Sequence, residues 1–473
     1  MSVRACFSEP AVELIRDATS PSRGTEASYD LDDADGHLRA VTSCCSEGLP
    51  ESIRGKPPAG VWLRPARPID SARGMSENRR ILIVSRSLPF HTAGGMEYVA
   101  WDLSRALVRA GQIVTVLTTS IPGRPGTFSE DGVVVETAPG TAPGRYSRTF
   151  FDFTRDWFHR HGSDVGAVLS VSAGAYGILG EREKHPDVRF VMQAHGTSVG
   201  DIRARWSGPG IRKRIISARN MAWLPRDLRA YRHFDGIVAV GPRVEAELSA
   251  WPLRAVTRGE RVTRIDNGIE TDLFRPDGSW RSQTREDLGW KAGDVGIITV
   301  SRLHELKGVH EAMRGFARFA NSRGGGARLL VVGDGPERST LETEARRALP
   351  GGSVSIFGEA RRSDVARLLN ASDVFLFTGL RAEVGLPLNV LEGAATGLPL
   401  VLSDSLCRDL EPPVEAECVN PHDASDIAAA LARAADRSGE RSPGARVSRL
   451  PSGRTLSEVA ARYAELLLPG KDS

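Results

Sequence analysis

Residues 80–96 read Arg80-Ile81-Leu82-Ile83-Val84-Ser85-Arg86-Ser87-Leu88-Pro89-Phe90-His91-Thr92-Ala93-Gly94-Gly95-Met96. An unbroken apolar run, Ile81 to Val84, is followed by a polar loop and two glycines. A helical pattern then runs over 96–110 and stops at Gly111. A strand with no polar alternation is buried on both faces, as in a parallel sheet covered by helices. A glycine just past the last helical residue supplies the left-handed stop. The stretch reads as the opening half of a βαβ crossover.

The same unit recurs on either side of one break. Apolar runs at 113–118, 166–171, 188–193 and 236–240 continue the first series. A second series at 295–300, 328–333, 353–357, 373–378 and 398–402 alternates with helices near 308–321, 336–348, 362–371 and 387–396. Such alternation builds parallel sheets with helices on both faces. The expected class is α/β, with two doubly wound Rossmann-like domains facing each other across a cleft. The first domain is expected over 75–266 and the second over 291–450. A connection over 267–290 carries Gly268, Pro276 and Gly278 as punctuation. A closing helix within 451–473 has apolar positions Leu456, Val459, Ala460, Tyr463 and Leu466 and must pack on a neighbour, here the first domain. Ligands of open parallel sheets bind beyond the carboxyl ends of the strands, which points to the cleft.

A chain of 473 residues is long enough for two cores. Residues 1–74 are rich in Ser, Pro, Gly, Arg and Asp without hydrophobic period, and are expected to be a disordered or non-native extension ahead of Met75. Asp30 and Asp32 in that stretch form a DxD pair, which can hold a metal–diphosphate but in a polar segment reads as solvated. A net charge of +3 argues against a dedicated nucleic-acid binder. No apolar run is long enough to span a bilayer and no signal-peptide core is visible, so a cytoplasmic protein is expected. Cys6, Cys44, Cys45, Cys407 and Cys418 form no CxxC pair and no metal spacing with His; free thiols are expected.

Candidate site residues lie at strand ends. Gly94 and Gly95 make either a tight turn or an opening for backbone N–H groups to meet an anion at the helix start. Arg302 follows a strand and Lys307 opens a helix beside Gly308; two cations at one crevice can neutralise a diphosphate without a metal. Gly333 and Gly335 lie in Val332-Gly333-Asp334-Gly335-Pro336, either a strand-to-helix turn or a base or ribose contact. Gly385-Leu386-Pro387-Leu388-Asn389 opens another helix and offers free N–H groups to phosphate. Glu392, within that helix and flanked by Val390, Leu391, Ala394 and Ala395, is a buried carboxylate that needs donors, and ribose hydroxyls suit it. His195 ends the strand Val188-Arg189-Phe190-Val191-Met192-Gln193-Ala194 and is a candidate for contact with substrate oxygens.

In order along 78–467 these pieces resemble the retaining glycosyltransferases of family 4, which have the GT-B fold. The matching pieces are Gly94-Gly95, Gln193-Ala194-His195-Gly196, Ile265-Asp266-Asn267-Gly268-Ile269-Glu270, Phe274-Arg275-Pro276, Ser301-Arg302-Leu303 with Lys307-Gly308, Gly333-Asp334-Gly335-Pro336, and Gly385-Leu386-Pro387 with Leu391-Glu392. The resemblance implies a hexosyltransferase that moves a sugar from a nucleoside-diphosphate sugar with retention of configuration, with no obligatory cofactor or metal. It implies that Arg302 and Lys307 bind the diphosphate and Glu392 the ribose. Gly94, Gly95, Gly333, Gly335, Gly385, Leu386, Leu388 and Asn389 would line the donor, and His195 would touch the sugar or the acceptor.

The family's first glutamate falls at Val384, with Glu383 one position away. Glu383 is kept as a catalytic candidate on a one-residue adjustment of the loop. The stretch 202–232 is basic, with Trp206 and Trp223. It reads as a solvated helix or as a peripheral contact with the inner face of an anionic membrane, which would suit a lipid-linked acceptor; a glycan or a small molecule is equally open as acceptor. A non-catalytic nucleotide-sugar binder, or another enzyme of the same architecture such as an epimerase, is the alternative reading.

Overall fold

The structure is a computed structural model that describes residues 79–469 except 93, 201, 203–223, 258–260, 349–351, 382, 409–414 and 440–445. The extension 1–74, with Asp30, Asp32, Cys6, Cys44 and Cys45, lies outside the described residues, as does most of the basic stretch 202–232.

The first sheet contains β1 (Arg80–Val84), β2 (Val114–Thr119), β3 (Thr127–Glu130), β4 (Val133–Ala138), β5 (Val165–Val171), β6 (Arg189–Ala194), β7 (Gly236–Ala239) and β8 (Val262–Arg264). Their order is β3-β4-β2-β1-β5-β6-β7-β8. All neighbours are parallel except the β3–β4 hairpin. That hairpin is absent from the sequence reading because Thr127–Glu130 alternates as an exposed edge and the apolar run of β4, Val133 to Val135, is short.

The second sheet contains β9 (Val295–Val300), β10 (Ala327–Val332), β11 (Val354–Gly358), β12 (Val374–Phe377), β13 (Leu400–Ser403) and β14 (Ala416–Val419), ordered β11-β10-β9-β12-β13-β14 and parallel throughout. The chain winds outward from β9 in one direction and resumes at β12 in the other. The crevice at their carboxyl ends is therefore a topological switch point.

Each sheet has a core on both faces. In the first, Phe150, Trp157, Phe158, Phe190 and Phe234 fill one side. On the other, Trp101 and Leu107 of the helix Gly95–Arg109 meet Leu456, Val459, Tyr463 and Leu467 of the closing helix Leu456–Leu467. The chain thus crosses between lobes twice, and the crossings run side by side. Ile269 N–H donates to Arg454 O at 2.9 Å and Leu456 N–H donates to Ile269 O at 2.9 Å. Thr455 caps the closing helix in a capping box with Glu458. Within the segment read as a connection, Gly278–Asp287 is helical, capped by the Asp277 carboxylate.

One expectation is overturned. Cys407 and Cys418 are joined in a disulfide, not held as free thiols. Eleven residues separate them in sequence, but Cys407 follows β13 and Cys418 lies in its neighbour β14, so the sheet brings them together.

Leu467 is wholly buried between the closing helix and the first sheet. Leu467→Ala should cost about 2–5 kcal/mol, the range for a buried Leu whose cavity does not collapse. A urea titration followed by tryptophan fluorescence checks this; an unchanged midpoint would mean that the closing helix is not part of the first lobe's core.

Candidate functional site

The carboxyl end of β9 is tied to that of β12 by one backbone bond and one side-chain bond. Leu380 N–H donates to Leu306 O at 3.0 Å, and Thr378 Oγ1 donates to Gly308 O at 2.7 Å. Gly308 has φ +68°, and a Cβ there would lie 1.8 Å from Thr378 O. Only glycine allows this conformation and this approach. The result is that Lys307 reaches the loop after β12, where its Nζ lies 2.7 Å from Glu383 Oε1. Glu383 thus meets a cation rather than standing alone, and Arg302 belongs to the same loop, just past β9.

Gly333 and Gly335 serve loop packing. A Cβ at Gly333 would meet Ser301 O at 1.9 Å, and one at Gly335 would meet Leu303 O at 2.2 Å. The loop after β10 therefore lies directly against the Arg302 loop, and Leu303 N–H donates to Asp334 O at 2.9 Å.

The helix Leu388–Ala395 begins at the seam between the lobes. A Cβ at Gly241, just past β7, would lie 2.4 Å from Val384 O. Backbone therefore meets backbone across the cleft at Gly241 and Gly385. Leu386 is packed in the second core, which leaves its N–H and carbonyl as its polar groups. Asn389 Nδ2 donates to Val300 O and anchors the helix start to the end of β9. Leu388 is half-buried on the first turn.

Glu392 is buried, at 7 % exposure, and burial pushes its pKa up against the pull of Arg362. Its partner is the Arg362 guanidinium, at 3.2 Å. Arg362 also holds Asp102, which lies on the first-lobe helix Gly95–Arg109. Burial raises the Asp102 pKa as well, again opposed by Arg362. The guanidinium is stacked between Tyr98 and Phe274, 4.8 and 5.0 Å from the ring centroids. Burial disfavours its charge, but the two carboxylates outweigh this and raise its pKa. Next to it, Arg105 and Arg109 both pair with Glu270 on the interlobe crossing. Sequence reading singled out Glu392 but missed Asp102 and Arg362, which lie 260 residues apart.

Gly94 is the N-cap and Gly95 the first residue of the first-lobe helix. A Cβ at Gly94 would meet Glu97 Oε2 at 2.2 Å, and Glu97 accepts a bond from Ser87 Oγ at 2.7 Å. The helix start therefore carries a carboxylate of its own, which competes with any arriving anion.

His195 follows β6, the strand beside β7. Its Nε2 lies 2.9 Å from Gln193 Oε1. Burial lowers its pKa to about 4, so the ring is neutral at ordinary pH. Among the described residues no group of His, Cys, Asp and Glu forms a metal-binding cluster, and no helix is long and apolar enough to cross a membrane.

Two parallel-sheet lobes that meet at their carboxyl ends have the fold of solved sugar-nucleotide proteins. Sucrose-phosphate synthase from Thermosynechococcus elongatus aligns with a TM-score of 0.65 and 18% identity, over 82% of this chain and 98% of that one. HepE of Anabaena, solved with UDP-glucose, aligns at 0.61 and 17% identity, over 82% and 99%. At such identities the likeness speaks for the fold. That fold is the two-domain GT-B architecture. Residues 93–273 match the model for glycosyltransferase family 4, and residues 294–437 that for glycosyl transferases group 1. The chain belongs to family 4 of the glycosyltransferases.

Among curated relatives, glycogen synthase of Mycobacterium tuberculosis is 24% identical over 83% of this chain and 95% of its own length. N-acetyl-alpha-D-glucosaminyl L-malate synthase of Bacillus anthracis is 29% identical over 66% of this chain and 76% of its own. EpsF of Bacillus subtilis is 33% identical, but the match spans only 32% of this chain and 38% of EpsF.

Arg362→Ala should lower stability by about 3–5 kcal/mol, because it leaves two buried carboxylates without a partner. The triple variant Asp102→Asn, Arg362→Met, Glu392→Gln should lose much less. Urea unfolding of both variants decides this, and equal losses would contradict the account. A second prediction concerns pH. The folded state refuses a proton at His195 that the unfolded chain takes up below its ordinary pKa of 6.5. Stability should therefore fall as pH drops from about 6.5 to about 4. His195→Gln should remove that part of the slope, and melting curves of the two proteins across this window test it.

Proposed function

We propose that the protein transfers a hexosyl group from a nucleoside-diphosphate sugar to an acceptor hydroxyl with retention of anomeric configuration. The observation that carries this reading is the meeting of Lys307, Glu383 and the Gly385 loop with the carboxyl edge of the first sheet at Gly241. A diphosphate in that seam reaches the Lys307 ammonium and the Arg302 guanidinium, which offset the charge that grows on the leaving phosphate. The backbone N–H groups at the start of Leu388–Ala395 add to this field. Glu383 orients Lys307 and stands beside the sugar end of the donor. Glu392 receives the ribose hydroxyls, sharing its lone pairs with Arg362. Neutral His195 approaches from the first lobe and meets a hydroxyl of the sugar or of the acceptor. None of these roles calls for a resident cofactor or metal.

Relatives and neighbours make storage glucans, sucrose phosphate or glycosides of small acids, according to their names. The acceptor here is accordingly a carbohydrate, a small molecule or a lipid-linked glycan. Peripheral contact with a membrane through 202–232, on the cytoplasmic side, belongs to the lipid-linked version.

Purified protein should be screened with UDP-, ADP- and GDP-sugars by mass spectrometry for transfer and slow donor hydrolysis. Lys307→Ala and Glu392→Ala should each reduce turnover by about 100-fold or more, the scale of losing one electrostatic stabiliser, with circular dichroism unchanged. Full turnover in both variants contradicts the residue roles. Donor binding without any turnover across an acceptor panel would instead favour a nucleotide-sugar binder.

A further inference from the structure

His195 does not stand alone. Gln193 lies near the end of β6 and His195 just past it, and their side chains meet. Gln193 is buried, at 1 % exposure, and makes two side-chain bonds. Its Oε1 lies 2.9 Å from His195 Nε2, and its Nε2 donates to the Tyr463 hydroxyl at 2.7 Å. Tyr463 belongs to the closing helix, 270 residues away in sequence, and is also 1 % exposed.

The direction of these bonds follows from the Gln193–Tyr463 contact, in which the amide nitrogen donates. Gln193 and Tyr463 line a small pocket together with Asp102, Asp266 and Asn267. The Tyr463 oxygen accepts from the Gln193 amide nitrogen, which is the only donor group that the Gln193 side chain has. Gln193 must then offer its amide nitrogen to Tyr463 and its carbonyl oxygen to His195. A carbonyl oxygen only accepts, so His195 carries its proton on Nε2. Nδ1 keeps its lone pair, and it has no hydrogen-bond partner among the described residues.

We propose that Tyr463 and Gln193 are positioning residues that lock His195 in the Nε2-protonated tautomer, so that Nδ1 presents a fixed acceptor to a substrate hydroxyl. The part of this that concerns substrate rests on the proposed reading of His195; the lock itself does not. The closing helix thereby takes part in the site. It completes the core of the first lobe and sets the hydrogen-bonding sense of a side chain at the cleft. Without the phenol oxygen the Gln193 amide is free to flip, and a flipped amide shows His195 a donor instead of an acceptor.

The test is nuclear magnetic resonance of full-length protein labelled with ¹⁵N-histidine, with the His195 signals assigned by loss in His195→Gln. The parent should show protonated Nε2 and bare Nδ1. Tyr463→Phe and Gln193→Leu should give a mixture of tautomers, whereas Gln193→Glu should keep the Nε2 proton and raise the pKa of His195. A parent protonated on Nδ1, or an unchanged tautomer in both Tyr463→Phe and Gln193→Leu, overturns the proposal. The same variants are then assayed for turnover of the donor found by screening, with UDP-glucose tried first. Tyr463→Phe should cost about 10-fold in kcat with KM little changed, and should cost nothing further in a His195→Ala background, since residues acting through one another are not additive. An equal loss in both backgrounds contradicts the lock. Absence of turnover in the parent would count against the transferase reading and leave the tautomer result to decide the lock.

Discussion

The relation between the lobes depends on one buried cation. Arg362 leaves the second lobe, passes between the rings of Tyr98 and Phe274, and ends between Asp102 and Glu392. A guanidinium suits this position because its planar face stacks on aromatic rings while its edge serves two carboxylates at once. A buried ion triad adds little net stability, since desolvation consumes most of the attraction. What it supplies is selectivity of arrangement. Separating the lobes at this point takes Asp102 from its guanidinium and leaves Arg362 with Glu392 alone, so partly opened positions are disfavoured. Glu392, the residue assigned to the ribose in the proposed reaction, is held in place by the same contact.

Around that bridge the seam is built largely of backbone. Gly241 and Gly385 meet across it, Gly308 lies against Thr378 O, and Gly333 lies against Ser301 O. At each of these points a side chain would push the loops apart. The glycines bring three loops of the second sheet and one of the first close enough for a diphosphate to touch several at once. This is the proposed origin of metal-free charge compensation: short loops on rigid strands, with Lys307 and Arg302 carried on one of them.

Much of this was legible in the sequence. Parallel strands buried on both faces leave uninterrupted apolar runs, so β1, β5, β9 and β12 show clearly. Strand ends followed by glycine mark the crevice, which is why Arg302, Lys307 and Glu392 could be selected. The β3–β4 hairpin was hidden because its exposed edge strand has no apolar run and β4 offers only the short one from Val133 to Val135. Asp102 and Arg362 were hidden because each looks like a solvated charge on a helix; only the crossing of the chain between lobes makes them partners. Cys407 and Cys418 were read as free because their spacing suits no motif, whereas neighbouring strands bring them together. The Gln193–Tyr463 contact has the same cause: its halves belong to a strand and a helix 270 residues apart, and neither has a local signal.

The central claim is that one pyrophosphate is gripped where the two lobes meet. A crystal structure of the protein with a nucleoside diphosphate, UDP or ADP, tests this most directly. The account requires the diphosphate within hydrogen-bonding distance of Lys307 and Arg302, with the ribose hydroxyls on the Glu392 carboxylate beside Arg362. A nucleotide bound outside the seam, or bound there with Lys307 and Arg302 turned away from its phosphates, would contradict it.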